Sequence, residues 1–178
     1  MTATQTSSSQ KTSRTSTRAT SKRTAASKND AIKLLVADHK EVKALFKDYN
    51  KKAEKGASAE VRQALAQKIC LMLKVHTQIE EEIFYPAARV TIDDDPLLDE
   101  ATVEHASAKD LIKQIERMSP DQDLYDAKVK VLGEYIEHHV KEEEEELFPE
   151  VKKSEADLAE LGASMAARKK ALLAKMAP

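Results

Sequence analysis

The chain has 178 residues, a net charge of −2, only three glycines, five prolines and no tryptophan, and is rich in Ala, Leu, Lys and Glu. Such a length and composition predict one helical domain with an aliphatic core. Its single cysteine, Cys70, excludes an internal disulfide and a zinc site built on several thiolates, so a reducing compartment is expected. No apolar run is long enough to span a membrane. We therefore expect a cytoplasmic location.

The first element along the chain is a basic tail over residues 1–29. Residues 1–28 carry six basic side chains and no acidic one, and fifteen of the first 27 residues are Ser or Thr. A segment with so little apolar surface cannot offset the entropy lost on ordering, so we predict disorder. Three interpretations stay open: a solubilising tail, a weak anchor for nucleic acid or another polyanion, and a transit peptide, although the tail lacks the apolar face that transit peptides need.

Two long helical patterns follow the tail. Asn29 or Asp30 is a suitable cap for the first helix, which Gly56 should end. Ser58 is a suitable cap for the second helix, which is expected to stop near Pro86.

Two further long helices and a shorter one are predicted in the second half. The third helix starts at Asp95, with proline at its first turn, and reaches about Met118. The fourth runs from about Asp121 towards Phe148, and Ser154 can start a short fifth helix.

Four helices of similar length joined by short loops predict an all-α fold, an antiparallel up-down-up-down four-helix bundle. The expected divisions are the disordered tail over 1–29, the bundle over 30–150, and a C-terminal helical extension over 151–178.

Four of the five histidines fall on the apolar stripes of the four long helices. Taken singly, a histidine on such a stripe is more often a hydrogen-bonded core residue than a ligand, and a glutamate in a Glu-rich run usually faces solvent. The set matters because it is distributed over all four helices: His39, His76, Glu80, His105, His139 and Glu143.

The two halves of the chain repeat the same arrangement. Each half has an acid-His pair, then a His-x-x-x-Glu-Glu-Glu motif, then a proline ten residues after the motif histidine. The lone histidine precedes the motif histidine by 37 residues in the first half and by 34 in the second. Two helix pairs related by approximate two-fold symmetry would bring both motifs and both lone histidines to one interior point.

Buried glutamates need a partner at that point. An ionised carboxylate without one costs several kcal/mol, and no Lys or Arg lies at matching depth on these stripes. Metal cations are the simplest partner, and imidazole with carboxylate suits iron, manganese or zinc.

Over about residues 30–150 the chain resembles the hemerythrin-like family of HHE cation-binding domains, through its two His-x-x-x-Glu-Glu motifs, each followed by an aromatic-Pro pair. The resemblance implies a centre of two non-haem iron ions with an oxo or hydroxo bridge and a small ligand such as oxygen, nitric oxide or peroxide. It also implies the ligands, which are the lone histidines His39 and His105, the motif histidines His76 and His139, and the bridging carboxylates Glu80 and Glu143. Glu144 is an alternative to Glu143, because oxygen carriers of the family place the second carboxylate five residues after the histidine.

The chain departs from the oxygen carriers at Lys109, where they have a further histidine. Each iron would then be about one ligand short of octahedral, which argues against simple oxygen carriage. We expect a protein that binds or senses oxygen, nitric oxide or iron. The alternatives are a redox-active di-iron enzyme that removes peroxide and a stress-associated protein whose basic tail binds nucleic acid. His138, about 100° away from its neighbour His139, is expected at the surface.

Overall fold

The computed structural model describes Met1 and residues 30–92 and 95–176, except for the side chain of Asp95. The predicted disordered tail, apart from Met1, lies outside the described residues. All regular structure in the described ranges is helical, which confirms the all-α prediction.

Seven α-helical segments and two π-helical turns make up these ranges: α1 (Ala31–Glu54), α2 (Ala59–Ile79), a π turn (Glu80–Phe84), α3 (Tyr85–Thr91), α4 (Asp95–Glu116), α5 (Tyr125–Glu142), a second π turn (Glu143–Leu147), α6 (Phe148–Lys153) and α7 (Leu158–Met176). The first π turn joins α2 to α3, and the second joins α5 to α6. The bundle therefore consists of four long helices, with α7 as an additional fifth.

The ends of α1 are those that the sequence predicts. Asp30 caps its start, because its Oδ1 accepts a hydrogen bond of 3.0 Å from the Lys33 backbone N–H. Gly56 ends it in the left-handed conformation at φ +71°, where glycine has no steric penalty.

The starts of the last two helices lie later in the chain than predicted. The fourth helix begins at Tyr125 rather than Asp121, because Leu124 adopts φ +71° and interrupts the helical backbone. The fifth begins at Leu158 rather than Ser154. Asp157 lies directly before it, and its Oδ1 accepts hydrogen bonds from the Ala159 and Glu160 N–H groups, at 3.1 and 3.0 Å.

Pro86 does not stop the second helix, which continues to Thr91, so that prediction is wrong. In an α-helix the proline ring would clash with the carbonyl four residues back. The π turn changes this register, because the Tyr85 N–H bonds to the Glu80 carbonyl five residues back. The second π turn accommodates Pro149 in the same way.

The four long helices pack so that α1 contacts α2 and α5, and α4 contacts the same two helices. The apolar interior forms two clusters along the bundle axis. One contains Leu35, Ile79 and Leu98, and the other contains Phe46 and Ile112. The polar residues predicted for the metal site lie between these clusters, in the middle of the bundle.

The fifth helix, α7, covers the outer side of α1 and α2. Its Met165 and Leu172 are buried in the first apolar cluster, and each contributes roughly 1.5–3 kcal/mol of burial free energy. Arg168 binds Glu82 and Lys169 binds Asp38, so α7 also makes ion pairs with the first π turn and with α1. No helix in the described ranges combines the length and apolarity that crossing a bilayer would require.

Candidate metal centre

The structure brings all six predicted residues together in the interior of the bundle. The lone histidines come from α1 and α4, while the motif histidines come from α2 and α5 and the glutamates from the first residues of the two π turns. All are between 0 and 7% exposed: His39, His76, Glu80, His105, His139 and Glu143. Buried charged and imidazole groups at this density need each other or a further charge.

The imidazoles form two pairs that face each other through Nε2. The Nε2 atoms of His39 and His76 are 3.2 Å apart, and those of His105 and His139 are 3.1 Å apart. Each pair joins one lone histidine to the motif histidine of the same half of the chain. The repeat in the sequence therefore corresponds to two equivalent half-sites.

Glu80 connects the two half-sites. Its Oε1 lies 3.2 Å from the His76 Nε2, and its Oε2 lies 3.4 Å from the His105 Nε2. One carboxylate thus presents one oxygen to each pair, which is the arrangement of a bridging ligand between two cations.

Glu143 lies on the opposite side of the same space. Its Oε2 is 3.2 Å from the His39 Nε2 and 3.5 Å from the His139 Nε2, so it also contacts both half-sites. Glu144 is 35% exposed and bonds the outer nitrogen of His39, Nδ1, at 2.9 Å. The geometry therefore favours Glu143 as the inner carboxylate and assigns Glu144 a supporting position.

Every Nδ1 atom of the four histidines faces a carboxylate on the outer side. The pairs are His39 with Glu144 at 2.9 Å, His105 with Glu81 at 3.0 Å, His139 with Glu104 at 2.7 Å, and His76 with Asp38 at 3.5 Å. Lys109 pairs with Glu81, and Lys169 pairs with Asp38. Carboxylates in this position orient metal-binding imidazoles and raise their basicity.

The supporting role of these four acids was not predicted from the sequence, in which Glu144 was considered only as an alternative ligand to Glu143. Asp38 and Glu104 directly precede the lone histidines, and Glu81 and Glu144 directly follow the motif glutamates. Three of the acids hydrogen-bond an imidazole on a different helix, while Asp38 lies 3.5 Å from the Nδ1 of His76 without a hydrogen bond. Such contacts are visible only in the tertiary structure. The one available signal was that all four acids recur at the same positions in both halves.

The Nδ1 contacts with carboxylates favour neutral imidazoles whose Nε2 lone pairs point at each other within each histidine pair. A neutral imidazole that donates its Nδ1–H to a carboxylate carries its lone pair on Nε2. Two such lone pairs 3.1–3.2 Å apart repel, and two imidazolium ions would repel as well. A proton shared between the two nitrogens of a pair relieves this repulsion, and so does a metal cation bound by the nitrogens and the carboxylate oxygens.

Three carboxylate oxygens at the centre also lack a hydrogen-bond donor within the described part of the chain. Both oxygens of Glu80 and the Oε2 of Glu143 are buried and accept no hydrogen bond from any described residue. The donor atoms of His39, His76, Glu80 and Glu143 lie within 4.8 Å of one another. Those of Glu80, His105 and His139 do so as well. The donor set therefore fits two cations that share Glu80.

The local electrostatics favour charged groups despite the burial. Desolvation opposes ionisation of Glu143, but the neighbouring charge of His139 and contacts with His39 outweigh it and lower the pKa of the carboxyl. Desolvation likewise opposes protonation of His76, but Glu80 and Asp38 raise the pKa of its imidazole. Ionised carboxylates and imidazoles of raised pKa thus lie together in the interior, and a bound metal cation can take the place of the imidazole protons.

Tyr85 is a further buried group that the sequence analysis did not single out. Its hydroxyl donates a hydrogen bond of 2.9 Å to the Glu143 Oε1 and lies 3.2 Å from the His105 Nε2. On an ideal α-helix Tyr85 would point about 180° away from His76, nine residues earlier. The π turn between them redirects it towards the centre. The equivalent position in the second half is Phe148, whose ring stacks on His39 at 5.8 Å.

A recess of about 190 Å³ between α4 and α5 reaches the centre from the surface, and the side chains of His105, His139 and Tyr135 are part of its lining. The exposed His138 lies at its edge, as expected for a surface residue, and its Nε2 is 3.1 Å from the Glu142 Oε1. The recess thus connects the surface at His138 with two histidines of the second half-site.

The family model of the hemerythrin HHE cation binding domain matches residues 30–151. A crystal structure of a hemerythrin HHE cation binding domain-containing protein from Mycobacterium kansasii is similar to this chain, with 28% sequence identity and a TM-score of 0.68. The similarity covers 82% of this chain and 88% of that one. No protein with a curated description matches the chain.

Proposed function

The chain belongs to the hemerythrin HHE cation-binding family, and from this premise we propose that it holds two non-haem iron ions at the centre of the bundle. Its role is to bind or sense oxygen, nitric oxide or iron at that centre. His39, His76, Glu80 and Glu143 would hold one ion, and His105, His139 and the two shared glutamates the other.

One observation carries the proposal. Two imidazole pairs and two fully buried carboxylates meet with their lone pairs directed inward and with three carboxylate oxygens that accept no hydrogen bond from the described residues. Without a metal cation, the two buried carboxylates and four imidazoles depend on shared protons for charge balance, and burying such ionised groups in an apolar interior costs several kcal/mol. Two divalent or trivalent cations would compensate it directly.

The donor types narrow the choice of metal. Imidazole with carboxylate, and no thiolate, suits iron, manganese or zinc. Iron follows from the family rather than from the geometry. When bound, two iron ions would supply redox-active positions with room for a small exogenous ligand.

Residues around the centre orient the proposed ligands and line the space where a small molecule would bind. Three outer carboxylates hydrogen-bond the imidazoles of His39, His105 and His139. The buried ring of Phe148 stacks on His39, and Phe84 packs edge-on against Phe148. Tyr85 places a hydroxyl beside the second half-site, 3.2 Å from the His105 Nε2. It can donate a hydrogen bond either to Glu143 or to a molecule bound nearby.

A second candidate, peroxide removal, is favoured by Lys109. This residue replaces the additional histidine of oxygen carriers, and its ammonium binds Glu81 instead of facing the centre. Fewer protein ligands leave more positions for a reacting molecule. Loss of hydrogen peroxide faster than with an equal amount of free iron, and abolished in Glu80→Ala, would support this activity. A rate equal to that of free iron would eliminate it.

The main proposal is tested by metal analysis and visible spectroscopy on full-length protein purified without chelator. We expect about two irons per chain and absorption bands that change on addition of azide, nitric oxide or dithionite. Glu80→Gln should retain the helical circular dichroism and lose most of the iron, while Glu150→Gln, an exposed matched control, should keep it. Wild-type protein that stays free of metal after iron reconstitution, with its helices intact, would refute the proposal.

A further inference from the structure

A second group of metal-binding side chains lies on the outside of the centre, between α4 and α5. His138 has its Nε2 3.1 Å from the Glu142 Oε1 and 3.7 Å from the Glu104 Oε1. The three donor atoms lie within 4.8 Å of one another, and all three residues reach solvent to some degree. One imidazole and two carboxylates are a donor set for a divalent first-row metal, with several positions left for water.

Glu104 links this outer group to the inner centre. Its Oε1 faces His138, and its Oε2 accepts a hydrogen bond of 2.7 Å from the His139 Nδ1. The carboxylate thus contacts an exposed histidine on one side and a proposed inner ligand on the other. An ion held by the outer group would be separated from the inner centre by a single side chain.

Two recesses continue from the outer group into the protein. The recess of about 190 Å³ has Glu104 and His138 at its edge and His105 and His139 at its inner end. A smaller recess of about 10 Å³ is lined by Glu104, His139 and Glu143, among others. Glu143 is 2% exposed, and its Oε2 accepts no hydrogen bond from the described residues. The larger recess therefore ends at two imidazoles of the proposed centre, and the smaller one ends at the Glu143 carboxylate.

The charge distribution distinguishes this side of the centre from two others. Lys169 neutralises Asp38 and Lys109 neutralises Glu81, so those supporting carboxylates are covered by ammonium groups. Glu104 instead faces His138 and the acidic Glu142. A cation approaching here meets negative charge and no lysine ion pair with Glu104 among the described contacts.

We infer that His138, Glu104 and Glu142 form an exchangeable site for a divalent cation, through which metal ions reach the His105–His139 half-site. The inference rests on the proposed function, because a route needs a destination. The ordinary ion pair that His138 can make with Glu142, four residues later on the same helix, is the competing explanation.

Mn²⁺ binding tests the outer site on the full chain whose centre has first been filled with iron. Electron paramagnetic resonance of free Mn²⁺ should show about one further ion bound per wild-type chain. His138→Ala should weaken this binding at least about tenfold, since losing even a supporting residue costs that much. Glu134→Gln, an exposed carboxylate on the same helix, should bind as wild type. No additional Mn²⁺ in wild type, or equal binding in His138→Ala, would overturn the site.

Co²⁺ uptake by the metal-free chain tests the route, because its visible absorption reports binding without redox chemistry. His138→Ala should fill the same two inner positions as wild type but several-fold more slowly, and Glu134→Gln should match wild type. Equal rates would overturn the route while leaving the proposed function intact. A wild-type chain that takes up no Co²⁺ at the centre would instead refute the proposed function, and the route with it.

Discussion

Three consecutive glutamates at the second π turn should respond very differently to the same substitution. Glu143 is 2% exposed and contacts both half-sites, Glu144 is 35% exposed and bonds the outer nitrogen of His39, and Glu145 is exposed to solvent. Replacing each in turn by glutamine changes the charge by the same amount. The differences between the variants therefore report position rather than net charge.

The magnitudes follow from these positions. Loss of a supporting carboxylate lowers metal affinity about 10–100-fold, so Glu144→Gln should cost about 1.4–2.7 kcal/mol of metal-dependent stability. For a chain of this size that corresponds to about 3–11 °C in Tm. Glu143→Gln removes a proposed inner ligand and should cost more, abolishing most of the stabilisation by iron. Glu145→Gln should remain within about 0.5 kcal/mol of wild type.

The assay is thermal unfolding followed by circular dichroism, with and without iron, together with the iron content of each variant. The quantity compared is the rise in Tm that iron produces, because it cancels changes in the metal-free fold. A larger loss in Glu144→Gln than in Glu143→Gln would show that Glu144 is the inner ligand. Equal losses of iron-dependent stabilisation in all three variants would refute the division into an inner, a supporting and a solvent-exposed carboxylate.

Three further predictions concern the scaffold. Leu172→Ala should lower the free energy of unfolding by about 2–5 kcal/mol in urea titrations, because Leu172 is 2% exposed. Leu173→Ala, at a 36% exposed position, is the control and should change it by less than about 0.5 kcal/mol. Equal effects of the two substitutions would contradict the packing of α7. Tyr49→Phe removes a hydroxyl that donates a 2.5 Å hydrogen bond to Asp126, and it should lower the free energy of unfolding by about 1–3 kcal/mol in the same titration. Tyr135 is half-exposed, so Tyr135→Phe serves as the control. Unchanged stability of Tyr49→Phe would exclude a contribution from that bond. Burial raises the pKa of the Cys70 thiol to about 12, so it should stay protonated and unreactive towards a thiol reagent at pH 8 until the protein is unfolded in guanidinium; rapid reaction of the folded protein would contradict its burial.

The sequence was sufficient for the helices and for the inner residues because both depend on local periodicity. Histidines and glutamates that fall on apolar stripes had to lie inside the bundle, and the repeat implied that they meet. The metal they would hold stays a prediction until it is measured.

The π turns and Tyr85 were beyond that reasoning. A period of 3.6 residues assumes an uninterrupted α-helix. It made Pro86 a predicted terminator, and on such a helix Tyr85 would point away from His76. The wider turn changes both results at once. The supporting acids were missed for another reason, since each acts on a neighbouring helix and has no periodic relation to its partner.

Tyr85 and Phe148 occupy equivalent positions in the two halves of the chain but make the centre asymmetric. The tyrosine hydroxyl lies 3.2 Å from the Nε2 of His105, whereas the phenylalanine ring stacks on His39 and offers no polar atom. The two ions of such a centre would differ chemically, and a ligand arriving there would meet a polar side and an apolar side.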